Sequence, residues 1–156
     1  MNGTMLCSVA DADEGRSVLE LGLELSERLG MRLVLAHVAE RLAPIDPDRE
    51  GSGRVTMKGE QRGGERFLTN LARQCGAHHG VECRVAVGDP ASLIGQIAAE
   101  EAADLILVGS RSRRWPARGL ESGLARALGS VTSVPILIAP PATGRRRTAA
   151  ASDGRG

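Results

Sequence analysis

The residues best suited to chemistry follow one apolar run. Leu105 to Val108 stops at Gly109, and Ser110, Arg111, Ser112, Arg113 and Arg114 come directly after it. Glycine has no Cβ to hold an anion away from the backbone. Arginine forks bind phosphate or carboxylate through paired N–H donors. Further on, Ser122 and Gly123 stand just before Leu124, Leu128 and Val131, which recur at helical spacing. Serine caps helices well, and the free N–H groups of a helix start favour an anion. The pattern predicts a strand, a phosphate-type loop and a helix. The bland alternative is that Arg111, Arg113, Arg114 and Arg118 are solvated loop charges. Trp115, the only Trp, either packs this loop against the body or a partner, or offers a stacking face.

Other reactive groups are scattered. Asp11 and Asp13 resemble the acidic pair of a phosphoacceptor receiver domain, but the third-strand Asp and fifth-strand Lys of that fold have no counterpart. His37 lies inside an apolar run and reads as a packed histidine. His78 and His79 end a helical stretch without Cys, Asp or Glu at ligand spacing, a poor metal site. Neither a Gly-x-Ser-x-Gly elbow nor a Walker A pattern occurs. No acid, base and nucleophile converge in the pattern, so catalysis is not expected.

Composition narrows the classes further. A chain of 156 residues with 42% hydrophobic content reads as one globular domain. Aromatics are only 1%, which argues against stacking on single-stranded nucleic acid. The formal net charge of +1 gives no field to draw the chain to nucleic acid or membrane. Cys7, Cys75 and Cys83 lack CxxC spacing and suit buried thiols in a reducing cytoplasm. No leader or membrane-spanning run is read, and the expected location is cytoplasmic.

These residues must be positioned by alternating elements. Met5 to Val9 is a candidate first strand, and Val18, Leu21, Leu25 and Leu29 mark a helix over Arg16 to Leu29, stopped by Gly30. The run from Arg32 to Glu40 predicts a second strand, nearly apolar as a strand covered on both faces should be. Arg41 to Gly64, rich in Gly and Pro, predicts a loop. A second helix is expected from Glu60 to His78, with Phe67, Leu68, Leu71 and Cys75 on one face and Gly80 as its stop. Val81 to Val87 predicts a third strand. Asp89 and Pro90 then suit the cap and first position of a third helix buried through Leu93, Ile94, Ile97 and Ala98. The fourth strand is "DLILVG", and Pro135 to Ala139 forms the fifth. Strands alternating with helices imply a doubly wound, three-layer α/β/α sandwich around a five-stranded parallel sheet. The domain spans 1–141; the small and polar residues from 142 to 156 predict a disordered tail. Ligands in such sheets sit beyond the strands' carboxyl ends, where the chain order reverses between first and fourth strands.

With "LAHV" on the second strand, "VGDPASLI", "ADLILVGSR" and "VPILIAP" in this order, the chain from about Met5 to Pro140 resembles the universal stress protein family. That resemblance implies a 3-2-1-4-5 strand order and a homodimer paired through the last strand, here Pro135 to Ala139. It implies ATP, with Mg²⁺, as the ligand of some members and not of others. ATP-binding members carry Gly-x2-Gly-x9-Gly-[Ser/Thr] after the fourth strand. Without gaps, this chain has Gly109, then Ser112 at the second glycine, then Ser122 and Gly123 in reversed order. A second register through Gly119 and Gly129-Ser130 puts Pro116 at the first glycine and leaves no room for a last helix. The family's Asp at the end of the first strand falls on Ala10; Asp11 is one residue late, and is either a solvated turn residue or the carboxylate after a one-residue slip. Val38 falls where the adenine pocket is lined.

The resemblance thus marks Ala10, Asp11, Val38, Val108, Gly109, Arg111, Ser112, Ser122, Gly123 and Leu124 as candidates for a nucleotide site that has partly eroded. The expected role is a non-catalytic stress-response or regulatory domain without a cofactor, acting through a protein partner and not through membrane or nucleic acid. Two alternatives remain open: a nucleotide binder with a rebuilt phosphate site, and a weak ATP-hydrolysing enzyme.

Overall fold

The computed structural model describes residues 3–39, 52–77, 81–110 and 123–141. In chain order they form β1 (Thr4–Ser8), α1 (Ala12–Leu29), β2 (Arg32–Ala39), α2 (Ser52–Gln74), β3 (Glu82–Val87), α3 (Pro90–Glu100), β4 (Leu105–Gly109), α4 (Gly123–Val131) and β5 (Ile136–Ala139). The strands make one sheet, ordered β3-β2-β1-β4-β5, with every pair parallel. The alternating elements and the resemblance predict this architecture and order.

β1 lies at the centre, with all five residues buried. Its side chains alternate between two cores, as the period of a strand requires. Met5, Cys7 and Val9 pack with Leu35 and Leu107 against Val18 and Leu19 of α1 and Leu68 and Leu71 of α2. Leu6 packs with Val34, Ile106 and Val108 against Ile94, Ile97 and Ala98 of α3 and Leu128 of α4. Burying each large side chain contributes roughly 1.5–3 kcal/mol. Two apolar cores, one on each face, explain why β2 and β4 read as continuous apolar runs.

Several boundaries differ from the sequence expectation. α1 begins at Ala12, four residues before Arg16, because Asp11 caps it. Gly30 ends it with φ 64°, as expected, while Leu29 is exposed. α3 starts as expected: the Asp89 side chain accepts the Ser92 N–H at 3.0 Å, and this bond holds its carboxyl below the usual range. In α4, Leu128 is fully buried and Val131 is exposed, so the expected apolar face is narrower.

α2 departs most. It runs from Ser52 to Gln74, starting eight residues before Glu60, and Gly76, with φ 75°, follows its end. Gly80, the expected stop, lies outside the described residues, as do Arg41 to Gly51 of the expected loop and the expected tail from 142 to 156. Gly53, Gly59, Gly63 and Gly64, which suggest a loop, sit inside this helix. Gly64 is there for contact: a Cβ on it would stand 2.6 Å from Val85 Cγ1 and 3.2 Å from the His37 ring. It lets α2 lie close to β2 and β3. A Cβ on Gly59 would meet nothing within 4 Å.

At the amino ends of the strands, Glu101 bridges two arginines. Its carboxylate lies 2.9 Å from Arg32 and also holds Arg84, while Arg32 reaches Glu82 at 2.7 Å and Arg84 reaches Glu100. The hydrogen bond to Glu100 leads the contacts that raise the Arg84 pKa. These arginines tie β2 and β3 to the end of α3.

The two α2 glycines should respond oppositely to alanine. Gly64→Ala overpacks the α2–β3 contact and should cost about 1–3 kcal/mol. Gly59→Ala should be neutral or stabilise by up to about 1 kcal/mol through helix propensity. Thermal melts of both variants check this; equal melting temperatures would refute the close-approach role of Gly64.

Candidate functional site

The carboxyl ends of β1 and β4 meet the start of α1. β1 stops at Ser8 and α1 begins at Ala12, so the connection is only three residues long. Asp11 makes that turn work. Its backbone is extended (φ −144°, ψ 174°), its Oδ1 accepts the Glu14 N–H at 3.0 Å, and its carbonyl accepts the Gly15 N–H at 2.9 Å. Asp11 is therefore the N-cap of α1, engaged through one of its carboxylate oxygens. Asp13 and Glu14 fill the first helical turn, where the helix dipole stabilises negative charge.

Glu14 points across the crevice to β4. Its Oε2 and Oε1 lie 2.6 and 2.8 Å from where a Cβ on Gly109 would stand. Its Oε1 is 3.4 Å from the Ser110 hydroxyl, a long contact. A Cβ on Gly109 would force this carboxylate, the end of a flexible side chain, to shift. Val9, Ala10, Glu14, Gly109 and Leu124 are among the residues lining the remaining space of about 20 Å³. That is roughly the room of one water molecule; pockets for small-molecule ligands run to about 300–1,000 Å³.

The structure brings Ala10, Gly109 and Leu124 together at this crevice. Gly123 opens α4 beside it. Val38 and Val108 lie apart from the lining: Val108 is wholly buried, and Val38 packs, partly exposed, on the same α3/α4-side core. Arg111, Ser112 and Ser122 lie outside the described residues, as do Trp115 and the arginines up to Arg118. Glu14 is the site residue that sequence reasoning missed. The signal was present, because Asp11 and Glu14 have the spacing of a cap and its third helical residue, which fixes where a first-turn side chain begins.

Nearby groups are structural. His37 Nδ1 lies 2.9 Å from the Val9 carbonyl oxygen and its ring meets Phe67 edge-on at 4.9 Å, so it is the packed histidine the sequence suggests. Burial pushes the Cys7 thiol up to about 12, which keeps it protonated and unreactive. Among the described residues, no group of three His, Cys, Asp or Glu could hold a metal ion. None of their helices is long and apolar enough to cross a membrane.

Comparison with protein-family models gives a match over residues 1–140, nearly the whole chain, to the universal stress protein family. The chain belongs to that family. Among solved structures it is similar to the universal stress protein UspA from Lactobacillus plantarum, with TM-score 0.74 and 13% identity over 88% of this chain and 97% of that one. A universal stress protein from Burkholderia pseudomallei matches with TM-score 0.63 and 21% identity, over 88% and 95%. One from Archaeoglobus fulgidus, in complex with dAMP, matches with TM-score 0.56 and 18% identity, over 88% and 98%. No curated protein matches in sequence.

The capping role of Asp11 has a direct test in ligand-free protein. Asp11→Ala should cost about 1 kcal/mol of stability, whereas Asp11→Asn, which still accepts the Glu14 N–H, should lose little. Denaturant melts measure both. If Asp11→Ala melts like the parent, the residue is not the cap.

Proposed function

We propose that this universal stress protein domain is non-catalytic, works in the cytoplasm as a dimer through protein contact, and holds no ATP in its switch-point crevice. The observation that carries this reading is the Glu14 carboxylate against Gly109, in the place where a phosphate oxygen would approach the backbone. Adding a phosphate there sets like charges side by side. Two unit charges about 4 Å apart near a protein surface interact by about 4 kcal/mol. The loop sequence agrees, with Ser112 and Ser122 at positions where ATP-binding relatives have glycine, and with Ala10 in place of a carboxylate.

The dimer reading rests on β5. This edge strand leaves Leu137 and Ile138 each 39% exposed, and neighbouring Val131 is 51% exposed. Exposed apolar edges of this kind call for a covering partner. The dAMP complex of the Archaeoglobus fulgidus relative favours a second reading, in which Ser112, Ser122, Gly123 and the loop arginines rebuild a phosphate site for a nucleotide.

ATP with Mg²⁺ separates the two readings. A ligand at 100 times its dissociation constant adds about 2.7 kcal/mol of stability. Millimolar ATP should leave the melting temperature and the Trp115 fluorescence unchanged; a clear shift in both would overturn the first reading in favour of the second.

The dimer is tested separately. Light scattering should show a dimer for the parent and a monomer for Leu137→Arg/Ile138→Arg, with the fold intact by circular dichroism. A monomeric parent at high concentration would refute the dimer.

A further inference from the structure

We infer that Glu14 is a built-in occupant of the anion position at the switch point: an autoinhibitory carboxylate that excludes phosphate-bearing ligands from the crevice. This deepens the reading of an ATP-free domain and rests on it. The assignment follows from three features that agree on position.

First, the place is the one where the fold admits an anion. It lies beyond the carboxyl ends of β1 and β4, at the first turn of α1, where the helix dipole favours negative charge. Second, the carboxylate uses the absence of a Cβ at Gly109, with two oxygens at 2.6 and 2.8 Å from the Cβ position and the Ser110 hydroxyl beyond at 3.4 Å. A carboxylate presents two oxygens much as a phosphate presents its own, so one group excludes the other. Third, Glu14 is anchored. The Asp11 carboxylate accepts its backbone N–H at 3.0 Å, which fixes the first turn of α1 and the origin of the side chain. The apolar side chains of Val9, Val18 and Leu124 line what remains, about 20 Å³.

A phosphate can enter only by turning the Glu14 side chain out of the crevice. That loses its contacts and leaves its charge beside the incoming anion. The neighbouring Asp13 is exposed and in the same turn, but is not among the residues lining the crevice. It provides the control for a general charge effect.

The experiment is isothermal titration of the full chain and of Glu14→Ala, Glu14→Ser and Asp13→Ala with AMP, ATP and uncharged adenosine, after circular dichroism has confirmed each fold. Glu14→Ala and Glu14→Ser should bind AMP and ATP more tightly than the parent by about tenfold or more. Adenosine binding and the Asp13→Ala variant should not change. Two folded Glu14 variants no tighter than the parent would overturn the inference, as would an equal gain in Asp13→Ala. The parent's own titration reports on the underlying reading independently. A parent that binds ATP refutes that reading, yet a tenfold gain on removing Glu14 would still uphold the carboxylate as a competitor.

Discussion

Everything in this molecule depends on the burial of β1 on both faces. Its five residues are buried, with β2 on one side and β4 on the other. A central parallel strand cannot face water, so the chain must supply a helical layer on each side. α1 and α2 cover one face and α3 and α4 the other. The crossovers leave β1 in opposite directions, and a crevice opens where they part. The crevice is thus a consequence of strand order. Its content is a separate matter, settled by a few side chains.

Those side chains are governed by the short turn after β1. Three residues must reverse the chain and start α1, and Asp11 spends its carboxylate on that cap. With Asp11 engaged, Glu14 in the first turn of α1 is carried to the face of β4. Gly109 accepts it there because it has no side chain. At the other end of the sheet, Arg32, Arg84 and Glu101 satisfy one another within the chain. Exposed pairs of this kind contribute little to stability one by one, but a shared and mostly buried Glu101 makes them a network.

Much of this was legible in the sequence. Alternation of apolar runs with helical periodicity predicts the parallel sheet, and the Asp89–Pro90 pair marks the start of α3 to the residue. The glycines of α2 misled because glycine signals two things: a turn and a close approach. Gly64 has the second role, set by Val85 on a distant strand, and local pattern holds no trace of that partner. Leu29 and Val131 keep the helical period yet are exposed, since each stands at a helix end where the covering surface runs out. At the site, the positions of Ala10, Gly109 and Leu124 followed from the fold. The inward turn of Glu14 did not, because it depends on which side of a capped turn faces β4.

Gly109 shows why a retained motif residue is weak evidence for a retained ligand. The same missing Cβ serves a phosphate oxygen and a carboxylate oxygen equally well, so the glycine alone cannot tell them apart. The residue to weigh beside it is Glu14, whose carboxylate faces Gly109. Among the described residues the exposed large apolar side chains include Val131 at the end of α4 and Leu137 and Ile138 on β5. An edge strand with one free side can gain backbone pairing and apolar burial together from a single partner. β5 is such a strand: it pairs with β4 on one side and forms one margin of the sheet.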